Sequence, residues 1–296
     1  MRVVIAGASG FLGTNLTERL RGSGHEVIRL VRRPARAQDE LTWDPSRREL
    51  DPAAFEDADA VINLAGAGIG DKRWDEDYKK VIRRSRVDPT ATLAEAIAAR
   101  GTPTVLLNAS AVGYYGDTGE HAVDEDAPRG EGFLQDVARD WEAATEPAAE
   151  AGARVVRLRT APVLAASGGL LKGMLPFFRL GLGGPLASGR QHMAWISLAD
   201  WLSAVEFLFE RPGISGPVNL SSPYPPTNRE FTRALGEELG RPAILPAPWF
   251  GLRLLLGEFA DEVVASQRVL PSVLTRHGFR FAHADLGAAL RWALAH

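Results

Sequence analysis

Short apolar runs alternate with amphipathic stretches along the first half of the chain. RVVIA at 2–6, EVIRLV at 26–31, AVINLA at 60–65, PTVLLN at 103–108 and RVVRLR at 154–159 are rich in β-branched residues and leucine. Apolar runs of this length bury both faces, as strands of a parallel sheet do. Between the first two, FLGTNLTERLRGSG sets Phe11, Leu12, Leu16 and Leu20 on one helical face. Helical stretches near 75–100 and 132–151 fill the crossovers before the last two runs. Pro89 falls inside the first stretch; it lacks an N–H and crowds the carbonyl of Ser85, which predicts a bend or two shorter helices. Strands and helices in this rhythm predict an α/β fold with a doubly wound parallel sheet.

After residue 160 the rhythm changes. GLGGPLASG reads as a glycine-rich loop, AWISLADWLSAVEFLFE as a strand end followed by an amphipathic helix, and GPVNLSS as a further sheet strand. Thr227 and Glu230 have capping-box spacing ahead of another amphipathic helix, and the prolines of RPAILPAPWF lead into a final segment. The expected division is a larger domain over 1–165, its sheet completed by about 194–222, and a smaller substrate-side part from 166–193 and 223–296.

Composition narrows the function. With 296 residues, 45% of them hydrophobic, the chain is long enough for a sizeable core, and a net charge of -3 provides no concentrated basic face for nucleic acid or an anionic membrane. There is no cysteine, which excludes disulfides, thiol chemistry and every cysteine-ligated metal site; the six histidines lack metal-ligand spacing, so no metal is expected. No secretory signal opens the chain and no apolar run approaches the ~20 residues that span a bilayer, so the expected location is the cytoplasm.

The first crossover, AGASGFLG, places Gly7, Gly10 and Gly13 three residues apart between a strand and a helix. In that context Gly7 permits a tight turn, Gly10 lets a pyrophosphate approach the backbone, and Gly13 lets the helix pack closely on the strand. The free N–H groups of the helix start, at Ser9, Gly10, Phe11 and Leu12, complete the pattern of an NAD(P)-binding Rossmann fold. An acidic residue at the end of the second strand would select NAD through the ribose 2′-hydroxyl. LVRRP stands there instead, so Arg32 and Arg33 point to NADP, with NAD less favoured.

Four stretches together resemble one family: AGASGFLG, DAVINLAGAGI, the run RW…YKKVIRRSRV, and FFRLGLGGPLASGRQHMAWI leading to VNLSSPYPPTNREF. The chain is similar to the extended short-chain dehydrogenase/reductase superfamily and, within it, to the epimerase family proteins of the SDR39U type. The ending LGEFADEVVASQRVLPSVLTRHGFRF resembles that subgroup's C-terminal module, about 245–292. The resemblance implies cofactor contacts from Leu64, Ala65 and Gly66, from Arg86 pointing back from the crossover helix, and from Ala109. TAPVL would meet the nicotinamide, although Ala161 and Pro162 stand where the subgroup usually has glycine and valine.

Members of the superfamily exchange a proton through a tyrosine tuned by a lysine four residues later, while a serine orients the substrate oxygen. Ser110 matches the serine. The tyrosine and lysine slots fall on Leu134 and Ala138, and the whole segment 130–150 holds neither residue type. Tyr115 is then the nearest phenol, expected close to the nicotinamide with Ser110. Tyr114, Arg190, His192 and Trp195 are candidate substrate contacts, and Asp136, Arg139 and Asp140 read as a solvated helix face. An NADP-dependent oxidoreductase or epimerase-like enzyme acting on a small polar substrate is the leading expectation. An inactive NADP-binding sensor or scaffold is the alternative, a sugar-nucleotide epimerase with intact mechanism is less favoured, and the chain is expected as a monomer or homodimer.

Overall fold

In the computed structural model, residues 1–55, 57–101 and 104–296 are described. The strands are β1 (Arg2–Ala6), β2 (Glu26–Val31), β3 (Glu40–Thr42), β4 (Ala60–Asn63), β5 (Val105–Ala111), β6 (Arg154–Thr160), β7 (Val163–Leu164), β8 (Ile196–Ser197) and β9 (Gly216–Leu220). Seven of them form one parallel sheet in the order β3-β2-β1-β4-β5-β6-β9, and β7 pairs with β8 in a small second sheet. The order reverses between β1 and β4, where Ala6 is in register with Asn63. In open α/β sheets the crevice at the carboxyl ends of such strands is the binding position.

On one face of the sheet lie α1 (Phe11–Gly22) and, with it, Trp201, Val205 and Leu208. The other face is covered by α2 (Glu76–Arg100), through Leu93, Ala94 and Ile97. This helix runs unbroken through Pro89, and the two shorter helices expected from the proline do not form. Packing outweighs the one missing hydrogen bond: Pro89, Thr90, Leu93 and Ile97 are buried, and Thr90 Oγ1 accepts from Asn63 Nδ2 at 2.9 Å, pinning the helix to the end of β4.

The remaining helices are α3 (Phe133–Ala143), α4 (Glu146–Glu150), α5 (Gly169–Arg179), α6 (Leu198–Phe209), α7 (Asn228–Leu239), α8 (Trp249–Leu256), α9 (Phe259–Val264), α10 (Ser272–Arg276) and α11 (Leu286–Ala295). α7 begins with the capping box of Thr227 and Glu230. Leu171, Leu175, Phe178, Trp195, Phe231, Leu235 and Leu290 form a separate apolar cluster under α5, α7 and α11. The edge strand β3 escapes the sequence pattern because ELT carries no apolar run. Pro103, at the head of the expected fourth run, lies outside the described residues; the strand itself spans Val105–Ala111. Among the described residues no helix is long and apolar enough to cross a membrane.

Candidate functional site

The turn after β1 is built for backbone contact. Gly7 has φ 80°, and a Cβ there would lie 2.6 Å from the carbonyl carbon of Leu64, at the end of β4. A Cβ on Gly13 would come within 2.1 Å of the Gly7 carbonyl oxygen, so α1 packs on the turn only with hydrogen at this position. Gly10 is the N-cap of α1, with no side-chain cap and no acidic residue in the first turn. The Gly10 N–H, expected to be free, donates to the Gly7 carbonyl at 3.1 Å, so it is the first-turn N–H groups beyond it and the positive dipole end of the helix that are left for an anion. Gly13→Ala is expected to overpack the turn and cost about 1–3 kcal/mol, read as a lower urea midpoint; an unchanged midpoint would show that the turn yields freely.

Two connected spaces meet at this turn. A groove of about 1220 Å³ runs past Ser9, Arg32, Arg33, Trp43 and Arg84, and a cavity of about 380 Å³ lies on the side of Ser110, Leu134, Ala138 and Trp141. Gly7, Gly10, Leu64, Ala65 and Gly66 line both. Phe11, Leu12, Gly13, Arg86 and Ala109 line the smaller one. The residues expected at the cofactor thus come together in one cleft, at the switch point of the sheet, and its shape and bare helix end suit an extended dinucleotide.

The two arginines after β2 do not behave alike. Arg33 is forked onto Glu40, with Nη2 donating to Oε1 at 2.7 Å and Nη1 to Oε2 at 2.8 Å. Those bonds hold the Glu40 carboxyl at about 2, and Arg29 reaches the same carboxylate at 3.2 Å. Arg33 is thereby neutralised, which corrects its expected role as a free cation. Arg32 is exposed and makes no ion pair among the described residues, so of the two arginines after β2 it is the one that offers an uncommitted charge to the groove.

The smaller cavity is apolar for most of its wall. Leu134 and Ala138, in the tyrosine and lysine slots, both face it, with Val137 beside them. Among the described residues lining it there is no tyrosine, lysine, histidine or carboxylate; its polar side chains are Ser110, Thr160, Arg86 and the indoles of Trp141 and Trp201.

Behind Ser110 runs a buried polar chain that no sequence pattern announces. Ser110 Oγ donates to Glu142 Oε1 at 2.7 Å, and Arg159 clamps the same carboxylate through Nε at 2.8 Å and Nη2 at 2.9 Å. Arg159 Nη1 donates to the Tyr115 hydroxyl at 2.8 Å, which in turn donates to Asn219 Oδ1 at 2.8 Å. All five residues are buried. Tyr115 therefore points into the protein, and burial pushes its phenol up to about 12 although Arg159 pulls it the other way. It does not line the cavity, which corrects its expected part in proton exchange.

The expected substrate contacts are not assembled there either. Tyr114 stacks its ring under the Arg159 guanidinium, 3.6 Å from the ring centroid. Trp195 is 0% exposed within the apolar cluster under α5, α7 and α11, so it is a core residue and not a ligand contact. His192 is tied into a loop, its Nδ1 3.1 Å from the Pro225 carbonyl and its backbone N–H on Ser266 Oγ at 3.0 Å. Arg190 is exposed on that loop. Neither lines the cleft. Asp136, Arg139 and Asp140 form surface ion pairs with one another and with Arg129 and Arg83, as a solvated face does.

Comparison with known proteins agrees with this fold. The model of the NAD dependent epimerase/dehydratase family matches residues 3–219, and a domain of unknown function, DUF1731, matches residues 247–293. An epimerase family protein of Mycobacterium tuberculosis is 49% identical over 292 residues, 98% of this chain and 97% of that one. The crystal structure of human epimerase family protein SDR39U1 with NADPH superposes with a TM-score of 0.91 at 34% identity, covering 100% of both chains. A structure described as a nucleoside-diphosphate sugar epimerase from Corynebacterium glutamicum, also 34% identical, gives 0.83 over 99% of this chain and 58% of that one. The chain belongs to the NAD dependent epimerase/dehydratase family and resembles its SDR39U1-type members from end to end.

Proposed function

We propose that this protein is an NADP(H)-dependent oxidoreductase or epimerase-like enzyme whose substrate oxygen is held by Ser110 instead of by a tyrosine–lysine pair. The observation that carries this reading is the largely apolar cavity at the switch point, with one buried serine fixed by Glu142 on its wall. The cofactor, when bound, supplies or accepts hydride at its nicotinamide. The glycine turn and the start of α1 would hold its pyrophosphate, and Arg32 its 2′-phosphate. Leu134, Val137 and Ala138 exclude water from the reacting end, and Glu142 keeps the Ser110 hydroxyl in one orientation. The apolar wall also revises the expected polar substrate: one face of it must be hydrophobic. A cytoplasmic location is part of this reading.

A second reading, an NADP-binding sensor, is favoured by one observation, the lack of any tyrosine, lysine or carboxylate among the described cavity residues. The two part in an assay of purified protein with NADPH and a panel of aldehydes and ketones, followed by loss of NADPH fluorescence. Turnover supports the enzyme; tight NADPH binding without turnover of any carbonyl supports the sensor. Tyr115→Phe adds a control. It is expected to cost about 1–3 kcal/mol of stability, because Arg159 and Asn219 each lose a buried partner, yet to leave the pH–rate profile unchanged. A profile that loses a limb would restore Tyr115 as a proton donor.

A further inference from the structure

Two stretches of the second half of the chain, 151–199 and 239–257, hold no acidic residue. The fold lays parts of them side by side. The Leu245 N–H donates to the Gly183 carbonyl at 3.1 Å, the Ala247 N–H to the Pro185 carbonyl at 2.9 Å, and the Ala187 N–H to the Ala247 carbonyl at 2.8 Å. Pro242 lies against Gly181, its Cγ 3.8 Å from where a Cβ would stand. Helix α8 starts two residues beyond Ala247.

The surface these segments make is apolar where it meets water. Leu180, Leu182, Ile244, Phe250, Leu254 and Leu255 are 54–78% exposed, and α8 has no buried residue. Single exposed apolar side chains need no explanation, but this many on two joined segments mark a surface that is covered in use.

Charge says what covers it. Arg253 is paired with Asp261, whereas Lys172, Arg179 and Arg241 are exposed and make no ion pair among the described residues. Lys172 and Arg179 are seven residues apart on α5 and so project from one side of it. Arg241 directly precedes the proline that meets Gly181. A second copy docked about a two-fold axis would bring this cationic patch against itself, with no carboxylate in either stretch to answer it. An anionic bilayer answers all three cations and takes the apolar side chains into its headgroup boundary. The net charge of -3, expected to leave no basic face for an anionic membrane, averages over this local segregation.

We propose that the surface formed by 177–182, 241–247 and α8 docks on an anionic phospholipid bilayer, with Phe250, Leu254 and Leu255 entering the interface and Lys172, Arg179 and Arg241 meeting lipid phosphates. The protein rests on the membrane without crossing it, and the docking does not depend on the proposed NADP chemistry.

The test floats the full chain with vesicles of phosphatidylcholine alone and of phosphatidylcholine with an equal part of phosphatidylglycerol. Each lysine or arginine at an anionic surface strengthens partition about fivefold, so wild type is expected to bind the anionic vesicles at least about tenfold more tightly than the neutral ones. Raising salt should narrow that difference. Lys172→Gln with Arg179→Gln and Arg241→Gln should erase it, and Leu254→Asp with Leu255→Asp should abolish binding to both vesicles. None of these five residues lines the cleft, so the variants' NADPH affinity is expected within about twofold of wild type, which shows that the fold is intact. Absence of binding, or equal binding to the two vesicles, overturns the proposal on wild type alone. So does sedimentation of wild type as a dimer that Leu254→Asp with Leu255→Asp takes apart, because the patch is then a contact between copies.

Discussion

Glu142→Gln is expected to destabilise the protein by about 3–5 kcal/mol, a fall in Tm on the order of 10 °C, the larger of the stability effects anticipated. The cause is not the energy of the ion pair itself. Arg159 is 3% exposed, and both its Nε and its Nη2 point at the Glu142 carboxylate. Burial works against the charged guanidinium, and the bonds to Glu142 more than reverse this, so its pKa lies above the ordinary arginine value. Glutamine keeps the shape but leaves that cation without a counter-charge. It also weakens the acceptor for Ser110 and slackens the link to Tyr115. Urea unfolding of the apoprotein reads the loss. Glu142→Met combined with Arg159→Leu provides the contrast: with both charges gone, most of the single-variant loss should be recovered. A double variant as unstable as the sum of the singles would show that the pair is not acting as a coupled unit.

The same pair explains how far the sequence could be read. Parallel strands buried on both faces are visible as apolar runs, and the glycine turn is visible because backbone crowding against Leu64 and the Gly7 carbonyl leaves only one residue type at two positions. The acid/base end depends on contacts between distant segments. Glu142 comes from α3 and Arg159 from the end of β6; only the folded sheet lays them side by side beneath Ser110. Tyr115 is five residues from Ser110 in the chain, yet the 3-10 turn over Val112–Tyr115 carries its ring inward, toward Asn219 on β9. Trp195 misleads for a related reason. It stands in a loop in sequence, but the apolar cluster beneath that loop claims its side chain. Leu134 and Ala138, by contrast, are placed by the family resemblance, which puts them in the tyrosine and lysine slots, and both line the cavity.

Arg32→Asp is expected to lower the affinity for NADPH by about 100-fold while leaving NADH unchanged or improved, so that the ratio of the two dissociation constants inverts. The difference between neighbouring arginines is the reason. Arg33 is already satisfied by both oxygens of Glu40, and drawing it away would cost a buried carboxylate its forked partner and leave it Arg29 at 3.2 Å and the Arg36 N–H. Arg32 has no such commitment among the described residues, and it lines the groove that carries the glycine turn. A phosphate bound by one arginine fork gains about 1.5–3 kcal/mol, tenfold to more than a hundredfold in affinity. Aspartate replaces that gain with like-charge repulsion of the 2′-phosphate and offers an acceptor to a ribose 2′-hydroxyl. Because Arg32 is exposed, the wild-type preference should also weaken as salt is raised from about 0.05 M to about 0.5 M, as the screening length shortens. Fluorescence titration with the two nucleotides at both salt concentrations measures all of this. Arg33→Gln serves as the comparison and should alter the preference far less. If Arg33→Gln matched Arg32→Asp, the phosphate would be bound by the Arg33–Glu40 fork, and the assignment of the free cation would move by one residue.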